Sequence, residues 1–173
     1  MSGRSILRPL AVSLGILLLA WHYAMAMSTT QPPACPPEVQ RRLPTWEAQS
    51  AVGDPPAQYF LGLALLEGTC ALPDPVRGLA LLRESVFGGV PLGIDILVQA
   101  ALDGAYGQPK DPREALAWLT VGYRLAPPES PRRRQLAAQM ETILAGMTPA
   151  QEAHALARAR TLLAHIRVRP PQS

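Results

Sequence analysis

Apolar residues recur at spacings of three and four along most of this chain, and no run of six residues alternates apolar and polar with β-branched enrichment. The recurring pattern predicts amphipathic helices, and the missing alternation argues against strands. We therefore expect an all-α body over about residues 38–166. A Pro-rich, flexible lead (residues 27–37) precedes it, and a short tail (residues 167–173, RVRPPQS) follows it.

Two stretches of this body have the same pattern. AQYFLGLALLEG (57–68) aligns with GIDILVQAALDG (93–104) at a constant offset of 36, and DPVRGLALLRES (74–85) aligns with DPREALAWLTVG (111–122) at an offset of 37. Ala57, Leu61 and Leu65 are spaced by four and form one stripe of a helix. The extra residue falls in a loop, so both helices stay in phase, which predicts two copies of one helix-turn-helix unit.

The boundaries of these helices are marked by residue chemistry. Gly68 and Gly104 stand where a helix should end, since glycine accepts the left-handed conformation of a C-terminal cap. Asp74 and Asp111 each precede a proline, which predicts an N-cap oxygen followed by the first helical residue. Gly62, beside the apolar stripe, is expected to let a neighbouring helix approach closely.

Two more helices are predicted after the second unit. One covers residues 130–146, and the last opens with a capping-box pattern over residues 148–151. A variant of that box is expected at Asp111, with Glu114 accepting a hydrogen bond from the N–H of the cap. The apolar face of the last helix is predicted to contain Leu156, Ala159, Leu163 and Ile166.

Together these residues resemble the Sel-one-like repeats, a tetratricopeptide-like (TPR-like) family. The resemblance is carried by Ala57, Leu61, Gly62, Gly68, Asp74 and Gly88 in one copy and by Leu97, Gly104, Asp111, Ala115 and Trp118 in the next. The sequence departs from the family pattern at Leu65 and Ala101, where an aromatic is usual, at Val98, which replaces a glycine, and at Gly78, which replaces an alanine.

The resemblance implies a short right-handed α-solenoid. A half repeat (38–54) precedes two full repeats (55–90 and 91–126), and residues 127–166 are expected to form a C-terminal pair of capping helices. Trp118 occupies the core tryptophan position of the family. The family's usual role implies a scaffold that binds other proteins.

Cys35 and Cys70 are the only cysteines. Cys35 precedes the half-repeat helix, and Cys70 follows the next helix, which runs antiparallel to it, so both fall at the same end of the stack. In an oxidising compartment such a pair predicts a disulfide. The alternative is a free Cys35 beside a buried Cys70.

The N-terminus has the order of a secretory signal. Arg4 and Arg8 precede an apolar run over residues 10–21, and the small residues Ala24 and Ala26 follow it. We expect cleavage after Ala26 and a periplasmic protein. The alternative is an uncleaved segment (residues 1–26) that anchors the chain in the inner membrane.

Removal of residues 1–26 changes the charge. It leaves 14 basic residues against 13 acidic ones, a net charge of +1, so nucleic-acid binding loses its support. The charge is uneven, with eight acids against four bases over residues 54–114 and three acids against eight bases over residues 124–173. The basic C-terminal end permits only weak contact with an anionic membrane.

The sequence predicts no catalytic, cofactor or metal site. His154 and His165 would lie about 16 Å apart along one helix at about 1.5 Å per residue, too far to share a zinc ion. Ser50, Ser85 and Ser130 have no nearby histidine in sequence, as nucleophile activation would need. Asp95, Asp103 and the run Arg132–Arg134 are interpreted as solvated, with an anion-binding patch as the alternative for the arginines.

Two functions remain open. One is a non-enzymatic periplasmic adaptor that binds an unidentified envelope protein or peptide segment, with Tyr59 and Tyr106, and also Trp46, as the aromatic residues free for contact. The other is a hydrolase acting on β-lactams or cell-wall peptides, as in cysteine-rich, penicillin-binding relatives. Those relatives have a cysteine pair in nearly every repeat, whereas this chain has one pair in total.

Overall fold

The computed structural model describes residues 35–68 and 70–166, and all regular structure in these stretches is helical. Seven α-helices follow one another: α1 (Pro37–Ala51), α2 (Pro55–Glu67), α3 (Pro75–Phe87), α4 (Ile94–Asp103), α5 (Pro112–Leu125), α6 (Pro131–Leu144) and α7 (Pro149–His165). Short 3-10 turns, Pro91–Gly93 and Ala105–Gly107, precede α4 and α5. The predicted signal segment, most of the Pro-rich lead and the tail lie outside the described residues.

Proline and a capping side chain open most of these helices. A proline stands at the first turn of every helix except α4, and the capping oxygens of α2, α3, α5, α6 and α7 belong to Asp54, Asp74, Asp111, Ser130 and Thr148. At α7, Thr148 and Gln151 form the predicted capping box. These starts were predictable because the chemistry of a cap is local.

The predicted role of Glu114 in a capping box is wrong. The N–H of Asp111 donates instead to the carbonyl of Ala101 at 2.8 Å. The Glu114 carboxylate accepts from the indole Nε1 of Trp118 at 3.0 Å and from the guanidinium of Arg158, which lies 44 residues away. Trp118, one turn along the same helix, and the charged Arg158 of α7 therefore occupy the carboxylate in place of the N–H of the cap.

Glycines act as predicted at three positions. Gly68 and Gly104 end α2 and α4 at φ of 66° and 70°, in the left-handed region that glycine tolerates. At Gly62, an added Cβ would lie 3.0 Å from the carbonyl oxygen of Gly78, so the backbones of α2 and α3 cross in close contact.

Helix α5 lies at the centre of the main core. It packs against α4, α6 and α7, and every residue from 115 to 122 is buried. Trp118 is 1% exposed, and its ring centroid lies 6.1 Å from that of Phe87. The core position predicted for Trp118 is therefore the one it occupies.

A second, smaller apolar cluster joins α1 to α2. Trp46 of α1 is buried and stacks on Phe60 of α2 with ring centroids 5.0 Å apart, and Arg42 lies over the Trp46 ring. The expectation that Trp46 is free for partner contact is wrong, because its ring is buried against Phe60 of the neighbouring helix. The Cys35–Cys70 disulfide, with Cα atoms 4.8 Å apart, ties the start of α1 to the loop after α2 and confirms the predicted bridge.

The buried face of α7 differs from the predicted one. Ala155, Ala159 and Leu162 are buried, whereas Leu156 is 37% exposed. The buried positions are spaced by four and three and so form one stripe of α7, the helix that packs against α5. Leu163 and Ile166 pack at the margin of the core.

Candidate functional site

A groove lies between α4 and α6, with α5 beneath it. Its volume is about 330 Å³. The floor is apolar and is formed by Val98, Leu102, Leu119 and Ile143. Since Leu119 comes from α5, the central helix closes the bottom of the groove.

Side-chain amides and a hydroxyl form its walls. Gln99 lies on α4, and Gln135, Gln139 and Thr142 follow one another on α6 at spacings of four and three, which places them on one face. An amide offers both a donor and an acceptor, as a peptide bond does. The Gln99 amide already donates to Asp103 and the Gln135 amide oxygen accepts from Arg132, so the remaining amide atoms of these walls are the ones left for a ligand.

One end of the groove is bounded by an ion pair between Arg132 of α6 and Asp95 of α4. The neighbouring arginines are engaged too: Arg133 lies over the ring of Tyr123 at 4.3 Å, and Arg134 donates to the carbonyl of Glu129 at 2.7 Å. These residues lie on the solvated surface, as interpreted from the sequence, since Asp95 and Arg134 are exposed, and each of the four also has a partner within the chain.

At its other end the groove opens into a second hollow. Leu102 and Ile143 line both, and the second hollow continues to Lys110 and Arg113. There the Arg113 guanidinium hydrogen-bonds the Asp111 carboxylate at 2.9 and 3.1 Å, and this bond holds the pKa of Asp111 below its usual range. The same contact raises the pKa of Arg113.

The two tyrosines proposed for partner contact lie elsewhere. Tyr59 is half-buried, packs against the main core and meets the Phe60 ring edge-on at 5.3 Å. Tyr106 is 37% exposed in the turn between α4 and α5, with a left-handed φ of 59°. Neither lines the groove, so their role in binding stays a prediction.

Sequence reasoning missed the groove residues. A signal existed in the spacing of Gln135, Gln139 and Thr142, but their partner wall on α4 is not evident from a pattern within one helix. The pairing of α4 with α6 depends on how α5 packs between them.

Histidines and serines are scattered over the described part of the chain. Within it, no three His, Cys, Asp or Glu side chains come together as a metal site would require. His154 is exposed, and the Nδ1 of His165 lies 2.8 Å from the carbonyl oxygen of Thr161. The buried hydroxyl of Ser85 donates to the carbonyl of Leu82 at 2.8 Å.

Paired helices that repeat in register and stack on one another define an α-solenoid, a helical repeat protein. The fold is similar to a solved structure described as a protective antigen of uropathogenic Escherichia coli that displays an SLR (Sel-one-like repeat) fold. The TM-score is 0.61 at 18% sequence identity, over 73% of this chain and 26% of that one. The chain thus has the Sel-one-like repeat fold that its sequence predicted.

This chain spans about a quarter of the length of that antigen, so the likeness concerns the fold of a part of it. No family model matches the sequence, and no curated protein does. None of the helices in the described part combines the length and apolar character that a membrane crossing requires.

Proposed function

We propose that this protein is a non-enzymatic adaptor that holds an extended segment of another polypeptide in the groove between α4 and α6. The observation that carries the proposal is the combination of an apolar floor with walls of side-chain amides. The floor would take apolar side chains of the segment, and the amides would pair with its backbone N–H and C=O groups. Helical repeat proteins commonly use the surfaces between their repeats in this way.

The size of the groove sets the size of the segment. From Asp95 to Leu102, α4 advances by about 10 Å at about 1.5 Å per residue. An extended chain covers that distance with about three residues at about 3.3 Å each. The second hollow beyond Leu102 would lengthen the contact toward Lys110, where an acidic residue of the segment would find a cation. A contact of this length suits a transient partner.

The proposed setting is the periplasm, and the proposed partner is another envelope protein. The support is the Cys35–Cys70 disulfide, since such bonds persist in oxidising compartments and are rare in the cytosol. Recovery of the protein from cells with two free thiols, measured by mass spectrometry after alkylation of unreduced samples, would contradict this setting.

A photo-crosslinking amino acid tests the groove. We would introduce it at Gln139, which lines the groove, and at Glu141, which lies on the same helix outside it. A crosslinked species is expected from Gln139 and not from Glu141. A further Leu102→Glu substitution, which puts a charge into the floor, should abolish it. Equal crosslinking at both positions, or no effect of Leu102→Glu, would argue against the groove.

The hydrolase alternative can be tested separately, because an adaptor catalyses no reaction. Incubation of the disulfide-bonded protein with a chromogenic β-lactam should give no turnover above buffer. Turnover that copurifies with the protein would replace the adaptor proposal with the hydrolase.

A further inference from the structure

A separate cleft lies on a different face of α4, between α3, α5 and α7. Its volume is about 220 Å³. Leu97 and Ala101 of α4 and Trp118 of α5 give it an apolar wall, while Arg83 of α3 and Arg158 of α7 contribute guanidinium groups. The cleft shares no lining residue with the groove between α4 and α6.

Three of the four charged side chains of the cleft are already paired. Asp111 binds Arg113, and Glu114 binds Arg158, with nitrogen–oxygen distances of 2.9 and 3.2 Å. The fourth, Arg83, has no ion pair or hydrogen bond among the residues that the structure describes. Its Nε is buried and meets no acceptor there. The cleft therefore has one uncompensated cation on an otherwise neutral, partly apolar wall.

An unmet buried donor of this kind is costly. Leaving a buried polar donor without an acceptor is unfavourable, and more so when the group is charged. The Nε edge of a guanidinium offers two parallel N–H donors, which match the two oxygens of a carboxylate. Arg83 as a residue is partly exposed and lines the cleft, so a rotation of its side chain would bring this edge to the oxygens of a ligand and recover the lost bond.

We infer that this cleft binds a carboxylate through Arg83, with the carboxylate's apolar substituent lying on Leu97, Ala101 and Trp118. A monoanion is favoured over a phosphate dianion because Asp111 and Glu114 stand in the same wall and only one cation is unpaired. The small volume limits the ligand to about the size of one apolar residue with its carboxylate, well below the roughly 300–1,000 Å³ of ordinary small-molecule pockets. The inference does not depend on the proposed function of the groove.

Two sources share this chemistry: the C-terminal residue of a polypeptide and a free small organic acid. The probe for the site itself is 4-methylpentanoate, and its neutral counterpart is 4-methylpentanamide. Binding would be followed by NMR through the indole N–H signal of Trp118 in the full, disulfide-bonded chain. We expect a saturable shift with the acid, no shift with the amide, and no change at Trp46 with either.

Arg83→Gln should weaken binding of 4-methylpentanoate at least tenfold. Arg83→Lys should weaken it less, since lysine keeps the charge but cannot donate two parallel N–H bonds. Arg77→Gln is the control, because Arg77 is exposed on the same helix and does not line the cleft. Circular dichroism of each variant checks the fold. Equal shifts from acid and amide, or unchanged binding in both folded Arg83 variants, would overturn the inference.

A peptide ligand distinguishes the two sources of the carboxylate. The tripeptide acetyl-Ala-Ala-Leu with a free carboxylate should bind at least tenfold more tightly than 4-methylpentanoate if the ligand is the end of a polypeptide, and no more tightly if it is a free acid. The peptide amide should not bind in either case. Binding of the peptide amide as tight as that of the acid would also contradict the carboxylate site.

Discussion

At the scale of single residues, Gly88 is required by close approach rather than by conformational freedom. Gly88, at the end of α3, has an ordinary φ of −77°, so backbone strain does not require a glycine there. The lack of space requires a glycine, because an added Cβ would lie 2.3 Å from the Cγ of Pro55 and 2.6 Å from its Cβ. Pro55 is the first residue of α2 and its ring is rigid, so it cannot swing away.

Gly88→Ala should therefore destabilise the fold. We expect a loss of about 1–3 kcal/mol in the free energy of unfolding, as overpacking typically costs. Gly146→Ala is the matched control, since a Cβ there would meet only the carbonyl oxygen of Ile143 at 3.7 Å. The measurement is urea unfolding, and equal midpoints for the two variants would show that the contact at Pro55 is not tight.

Asp111 combines two residue-scale effects, a helix N-cap and an ion pair with Arg113. Asp111→Ala should cost about 0.5–2 kcal/mol at pH 7, as loss of an N-cap does. The pKa of Asp111 is lowered in the fold, mainly by its hydrogen bond to Arg113. Its ionisation therefore stabilises the fold above the ordinary carboxyl pKa of about 3.9, and this contribution is lost as the pH falls through the lowered value.

The penalty of Asp111→Ala should consequently be smaller at pH 3 than at pH 7. Urea midpoints of the parent and the variant at the two pH values measure it. Asp111→Asn, which keeps a capping oxygen, should lose only the pH-dependent part. A penalty for Asp111→Ala that does not change with pH would show that the charge contributes nothing.

At the scale of the helices, the sequence could predict features that depend on interactions within one helical turn, but not those that depend on contacts between helices. Gly68, Gly104, Asp74 and Asp111 act within one turn, so the ends of α2–α5 were predictable from local chemistry. The rotation of α7 was not, because α7 packs against α5, whose position no pattern within α7 contains. Trp46 and Glu114 were misjudged for the same reason, since their partners Phe60 and Arg158 lie on other helices.

The rotation of α7 about its axis can be tested directly. Leu162 is 2% exposed in the main core, whereas Leu156 is 37% exposed. Leu162→Ala should cost about 2–5 kcal/mol through lost burial and a cavity. Leu156→Ala should cost well under half as much. Urea unfolding measures the loss of stability in each variant. A larger loss for Leu156→Ala would support the buried face predicted from the sequence.

At the scale of the whole described unit, its two apolar clusters differ in how they are held. The main core joins helices from α2 to α7, whereas the second cluster holds α1 mainly against α2 through Trp46, Leu61 and Leu65. An end helix with contacts on one side opens more readily than a central one. The Cys35–Cys70 disulfide lies at this end and limits how far α1 can separate from α2.

Replacement of both cysteines by serine should therefore loosen one end of the solenoid before the rest. Closure of a loop of this size contributes about 3–4 kcal/mol in the chain-entropy model, so the free energy of unfolding should fall by about that amount. In hydrogen exchange, the amides of α1 should lose protection first while those of α5 keep theirs. A reductant should reproduce this pattern in the parent and leave the serine variant unchanged. If α5 loses protection together with α1, the two clusters unfold as one unit and the disulfide stabilises the whole solenoid rather than its end.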